Sequence, residues 1–239
     1  RVFGKGHFLR PSMVQFFACR NVLMDGLTIV DLPFWGVHLV YSQNVILRNL
    51  LVDSPRINND GVDPESSTDV LIENCVFKTG DDCIAIKSGR DQDGWRVGRP
   101  SENVVIRDCE MIGASAFGSG IAIGSEMSGG VRNIYIERCR MDKVPVALNF
   151  KANLDRGGAI EHIRVNDVSV TNTNTLVGFT TAYHGYRGGH YPPIFRDFSL
   201  QNVSCGDAEL AIGAIGVPEA PLREISIRGM TVQAASKPF

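Results

Sequence analysis

Apolar and polar positions in this chain alternate in a short pattern that recurs eight times. Asn44-Val45-Ile46-Leu47-Arg48-Asn49 is typical: polar, apolar, variable, apolar, charged, then a turn former. The copies start at Asn21, Asn44, Asp69, Asn103, Asn133, His162, Asp197 and Glu224, separated by 23, 25, 34, 30, 29, 35 and 27 residues, and a second short alternating run follows each. Period-two alternation predicts short strands with one buried face. Asn, Asp and Gly at the bends tolerate left-handed backbone angles, so the chain can turn sharply between strands. Strands this short cannot bury a face alone, and no helical periodicity is strong enough to cover them. Stacking each repeat on the next satisfies both the backbone and the apolar interior, which predicts a parallel β-helix of about eight coils. A leucine-rich repeat would need a regular Leu-x-x-Leu-x-Leu frame, which is missing, and a propeller would need longer blades.

A second frame runs beside the first. Asp60-Gly61-Val62-Asp63-Pro64-Glu65-Ser66 overlays Asp82-Cys83-Ile84-Ala85-Ile86-Lys87-Ser88, with acid on acid, Val62 on Ile84 and Ser66 on Ser88. Ser119-Gly120-Ile121-Ala122-Ile123-Gly124-Ser125 and Val146-Ala147-Leu148-Asn149-Phe150-Lys151-Ala152 fit the same frame. In register, the acids lie on neighbouring rungs about 4.7–4.9 Å apart, so several coils build one site. Longer spacings place inserts at residues 90–100 and 182–193, both carrying aromatic and basic groups. Inserts of a solenoid loop out on one face, often the binding face, and these two are expected to frame a cleft. Residues 1–239 read as one β-helix domain. Arg1 falls inside a coil-like pattern and Phe239 just after a strand, so capping segments of a longer chain are expected, chiefly at the N-terminal end.

Composition narrows the partners. Lys and Arg total 24 against 26 Asp and Glu, a net charge of -2, so no global field points to nucleic acid or an anionic membrane. No run of about 18 apolar residues suggests a membrane span. Cys75, Cys109 and Cys139 occupy one position of successive copies; with no CxxC pair, they read as a ladder of small buried side chains.

Asp60, Asp81 and Asp82 are the candidate catalytic groups. Carboxylates flanking a glycosidic bond can divide acid and base roles, about 6.5–9.5 Å apart when configuration inverts. Close like charges also raise one pKa, as an acid catalyst requires. Stacked carboxylates equally suit calcium, and a lone Asp-Gly is usually a turn. Asp81-Asp82 argues for use: consecutive strand residues face opposite ways, so both reach a groove only at a bend. Lys87 and Lys151 share one frame position with Glu65 and can hold a sugar carboxylate. Ser119 aligns over Asp82 and can hydrogen-bond it. Arg156, ahead of Gly157-Gly158, can lean over the groove as a bidentate donor.

The combination of Asn58-x-Asp60-Gly61-x-Asp63, Gly80-Asp81-Asp82, Ile123-Gly124-Ser125 and Phe150-Lys151 resembles glycoside hydrolase family 28, the polygalacturonases. Lys87-Ser88-Gly89-Arg90-Asp91 and the run Gly124 to Asn133 resemble its bacterial and plant-like members. The resemblance implies an all-β, single-stranded, right-handed parallel β-helix of the pectin-lyase-like kind, and inverting hydrolysis of galacturonan-type pectin with no metal or cofactor. Asp81 would be the general acid, with Asp60 and Asp82 holding and activating the water. Asn58, Lys87, Ser119, Asn149, Lys151, Arg156 and Tyr183 would contact the substrate. A secreted or periplasmic monomer acting on a pectic polysaccharide or oligosaccharide is implied, with no nucleic-acid or membrane partner. Two departures stand out: the family's Gly-His-Gly reads Gly118-Ser119-Gly120, and its Arg-Ile-Lys reads Asn149-Phe150-Lys151. Two alternatives therefore stand beside the hydrolase: a calcium-dependent polyuronate lyase and a non-catalytic carbohydrate-binding module.

Overall fold

Val22, Val45, Val70, Val104, Ile134, Ile163, Phe198 and Ile225, the first apolar residue of each copy, pair directly across one stack of parallel strands. The computed structural model that shows this describes residues 10–183 and 187–237, together with the backbone of residues 2–3 and 7–8. Two further stacks complete the coil. One includes Leu51–Ser54, Val76–Thr79 and Glu110–Gly113; the other includes Val37–Val40, Val62–Glu65, Ile84–Ile86, Ser119–Gly124 and Val144–Lys151. In this last stack Val14, Val37, Val62, Ile84, Ile121, Leu148, Val177 and Ile212 form an unbroken line, so the second frame holds rung by rung. The fold is the parallel β-helix that the pattern predicts.

The closing residue of every copy, from Gly26 to Gly229, is left-handed, with φ between 49° and 71°. So is the opening residue of every copy, with φ between 54° and 58°. The sequence pattern accounts for the first set through turn chemistry. The second set explains why the opening position is polar: a short Asn or Asp tolerates this conformation where Val or Ile would not. These side chains also join between coils, Asn44 donating to Asn21, Asn103 to Asp69 and Asn133 to Asn103.

Inside the coils lie aligned apolar side chains. Cys75, Cys109 and Cys139 are buried free thiols, stacked as the ladder expected from their spacing. Phe77 is wholly buried beneath the rung that carries the acids. Phe77→Ala should lower unfolding free energy by about 3–5 kcal/mol, because a solenoid interior collapses poorly around a cavity; denaturant titration with unchanged far-ultraviolet circular dichroism would check this.

One local expectation is corrected. The insert at residues 90–100 contains a short helix, Asp91–Val97, closed by Gly98 in a left-handed cap. Seven residues are too few to show as helical periodicity. The second insert packs against it: the Trp95 and Tyr191 rings lie 3.9 Å apart, and Asp155 accepts backbone N–H groups of Arg187, Gly188 and Gly189. His184, Gly185 and Tyr186 of that insert lie outside the described residues. No described helix is long and apolar enough to cross a membrane.

Candidate active site

The bend 80–83 enters the strand Ile84–Ile86, and the bend 58–61 enters Val62–Glu65 one rung away. Gly61 donates to the Asp82 carbonyl at 3.0 Å and Val62 to that of Cys83 at 3.1 Å, which locks Asp60 and Asp82 onto adjacent rungs. At the bend the alternation of faces breaks, and Asp81 and Asp82 both reach the same cavity. Asn59 fixes this corner from within. It accepts from Ser54 at 2.8 Å and donates to the carbonyls of Leu32 and Phe34 at 3.1 and 2.9 Å. That anchorage also carries Phe34 and Trp35, stacked 4.8 Å apart, to the cavity wall.

The cavity encloses about 290 Å³. Asn58, Asp60, Asp81, Asp82, Lys87, Lys151, Arg156 and Tyr183 from the sequence-derived set all line it; Ser119 and Asn149 do not. Lys151 Nζ donates to Asp82 Oδ2 at 2.9 Å, the bond expected from Ser119. Ser119 instead accepts from Asn149 at 3.0 Å, so the two positions that depart from the family pattern meet each other. Asn58 reaches Asp81 Oδ2 at 3.4 Å, and the Asp82 amide donates to Asp81 Oδ1 at 3.0 Å. The Tyr183 ring sits 5.5 Å from Lys151 Nζ. Between the rungs of Lys87 and Lys151 stands Gly124, where any side chain would collide with the Lys151 carbonyl.

A sequence profile of Glycosyl hydrolases family 28 matches residues 5–207. The chain belongs to that family. It is similar to a probable polygalacturonase of Vitis vinifera, 31% identical over 98% of this chain and 48% of the relative. It is also similar to an endo-polygalacturonase of Pectobacterium carotovorum, 25% identical over 80% of this chain and 46% of the relative. Among solved structures it matches a hyperthermoactive exopolygalacturonase from Thermotoga maritima with a TM-score of 0.92 and 41% identity, over 98% of this chain and 54% of that one. The chain thus spans about half the length of these relatives.

Two roles in this family 28 site differ from the sequence expectation. Arg156 is 3% exposed, and its fork is occupied: Nε donates to the Ser125 carbonyl at 2.9 Å and Nη1 to Asp91 at 2.6 Å. Rather than reaching for a ligand, it ties the helix to the coil. Arg90, of the Lys87-Ser88-Gly89-Arg90-Asp91 run, is half-exposed at the cavity and only loosely paired with Asp91 at 3.6 Å. Lys87 is also buried, with Nζ 3.4 Å from Asp63, 3.6 Å from Asp60 and 3.7 Å from Glu126, and 4.7 Å from the centre of the Trp35 ring. It is an internal counter-ion. Sequence spacing gave no hint of Trp35, because it comes from the preceding coil through an irregular loop. Glu126 followed the Gly124-Ser125 motif and could have been found there.

Electrostatics separate the acids. Burial, partly offset by Lys87 and reinforced by Asp82 and Asp81, pushes Asp60 up to about 7. Burial and then the Asp60 charge hold Asp63 well above the ordinary carboxyl range. Asp81 is raised by burial and by Asp82, against the pull of Lys151. Burial would raise Glu126 as well, but Lys87 and Arg156 reverse it and hold it low. Burial opposes the charge on Lys87, and Asp63, Asp60 and Glu126 overcome that and raise it.

Proposed function

We propose that this chain forms the catalytic groove of an inverting glycoside hydrolase acting on α-linked galacturonan-type or related pectic polysaccharide. The observation that carries the reading is the convergence of Asp60, Asp81 and Asp82 on one cavity, with Asp60 and Asp81 raised and Asp82 paired to Lys151. Asp81, partly exposed and raised, protonates the departing glycosidic oxygen. Asp82 is held by Lys151 through Oδ2 at 2.9 Å and stands with Asp60 at the cavity, where the two carboxyls flank the place of the attacking water. That water adds to the anomeric carbon from the face opposite the leaving group, and its proton passes to the Asp60–Asp82 pair. Arg90 and Lys151 supply positive charge for uronate carboxylates, and Asn58 and Tyr183 line the approach.

The lyase reading gains less support. Lys87 and Lys151 already occupy the places beside the carboxylates where a cation would sit. A polymer substrate too large to enter a cell accords with a secreted or periplasmic site of action.

Purified full-length protein should release reducing ends from polygalacturonate or a rhamnogalacturonan panel, with the inverted anomer appearing first by NMR. Unsaturated, ultraviolet-absorbing products halted by a chelator would indicate the lyase. Tight oligosaccharide binding without turnover on any pectic substrate would leave a binding module. Product length against time tests whether cleavage is exo, as the name of the Thermotoga relative suggests.

A further inference from the structure

Asp63 takes no part in the chemistry just described, yet it is among the most completely buried charged-type residues of the chain. It is 0% exposed, and neither of its carboxyl oxygens has a hydrogen-bond donor among the described residues. An ionised carboxylate in that condition would cost several kcal/mol. The groups that face it are few. Lys87 Nζ approaches at 3.4 Å, an ion-pair distance rather than a well-formed hydrogen bond. Asp60 lies within hydrogen-bonding reach, and Asp82 adds negative charge. His38, its register partner on the preceding rung, is engaged elsewhere: Nε2 contacts Glu65 at 2.7 Å and Nδ1 contacts Gln15 at 2.9 Å.

Counting charges around this corner leads to one conclusion. Lys151 is committed to Asp82, and Arg156 to Asp91 and Glu126. Among the described residues Lys87 alone faces both Asp60 and Asp63, and one ammonium neutralises only one carboxylate. A proton on Asp63 resolves both difficulties, since it removes the second charge and creates the missing donor.

We propose that Asp63 is a protonated acid in the working protein and donates its O–H to Asp60, holding the Asp60 carboxylate ionised and oriented toward the water. This rests on the hydrolase reading for its kinetic consequence, though not for the protonation itself. Asp63 is then a positioning residue that never meets the sugar. It differs from the acids of the cavity, whose protons move during turnover.

The test contrasts two substitutions. In Asp63→Asn the amide NH₂ can donate to Asp60 while its oxygen faces Lys87, so kcat on a pectic substrate should stay near that of the unaltered protein. Asp63→Val keeps the volume and removes the donor; kcat should fall roughly ten- to a hundredfold, the scale of one hydrogen bond to a charged group. Equal losses in both variants would overturn the proposal, because they would show that an ionised Asp63 is required. A second measurement needs no turnover. Infrared difference spectra of ¹³C-aspartate-labelled protein, unaltered minus Asp63→Asn at neutral pH, should contain the carbonyl band of a protonated acid. Loss of a carboxylate band instead would also overturn it. If the band is present and no pectic substrate is cleaved, the hydrolase reading has failed and the protonation stands.

Discussion

Asp81→Asn is expected to slow hydrolysis of polygalacturonate by about 10²–10⁴-fold, the range that one positioned general acid contributes. The substitution is close to isosteric. Its amide oxygen can still accept from the Asp82 N–H, the bond that spans 3.0 Å in the native protein. Because Asp81 is partly exposed at the rim, little stability should be lost, and the transferable proton is what disappears. Burial and the Asp82 charge keep Asp81 protonated above the ordinary carboxyl range, against Lys151. Activity that needs this proton is full below the raised value and falls as pH rises through it. The alkaline limb of kcat/KM should therefore vanish from whatever activity the variant retains. A nitrophenyl galacturonide, whose leaving oxygen needs no protonation, should suffer a much smaller loss. Equal losses on both substrates would place the acid elsewhere.

How much of this could be seen in the letters depends on how local the cause is. Val62, Ile84, Ile121 and Leu148 stack in register because period-two alternation and turn residues are local, and they recur. The same register delivered Asp60 and Asp82 to adjacent rungs. Side-chain partnership is different, since it depends on which way each bend aims. Arg156 sits in a glycine-flanked loop that suggested reach, but the helix Asp91–Val97 offers Asp91 at 2.6 Å and draws it inward. Ser119 aligns over Asp82 on paper; in space Lys151 is long enough to cross from two rungs away and takes that bond. Trp35 comes from an earlier coil through a loop with no repeat signature, so its part in the corner around Lys87 had no sequence signal at all.

That corner carries the second large effect. Lys87→Met should destabilise the protein by about 3–5 kcal/mol near pH 8, the usual consequence of removing one partner from a buried ion pair. The loss should shrink toward pH 4. The sign follows from the groups involved. Lys87 has a raised pKa, so its contribution in the native protein is complete below the ordinary lysine range and is lost only as pH climbs through the raised value. Across acid and neutral pH the native corner is therefore intact. In the variant Asp60 and Asp63 remain buried without their cation, and both are already raised above the ordinary carboxyl range by burial. At about pH 4 the unfolded chain also binds about half of these protons, so folding costs much less extra than at pH 8. As pH rises toward 7 the unfolded carboxyls ionise freely, while the folded ones must keep their protons or bury bare charge, and stability drains away. Denaturant midpoints at the two pH values measure the difference directly. An equal loss at both would mean that the methionine merely packs badly beneath Trp35, and that Lys87 holds no charge balance for the two carboxyls. A loss confined to the higher pH would tie the stability of this coil to the same proton that keeps Asp60 ready for its water.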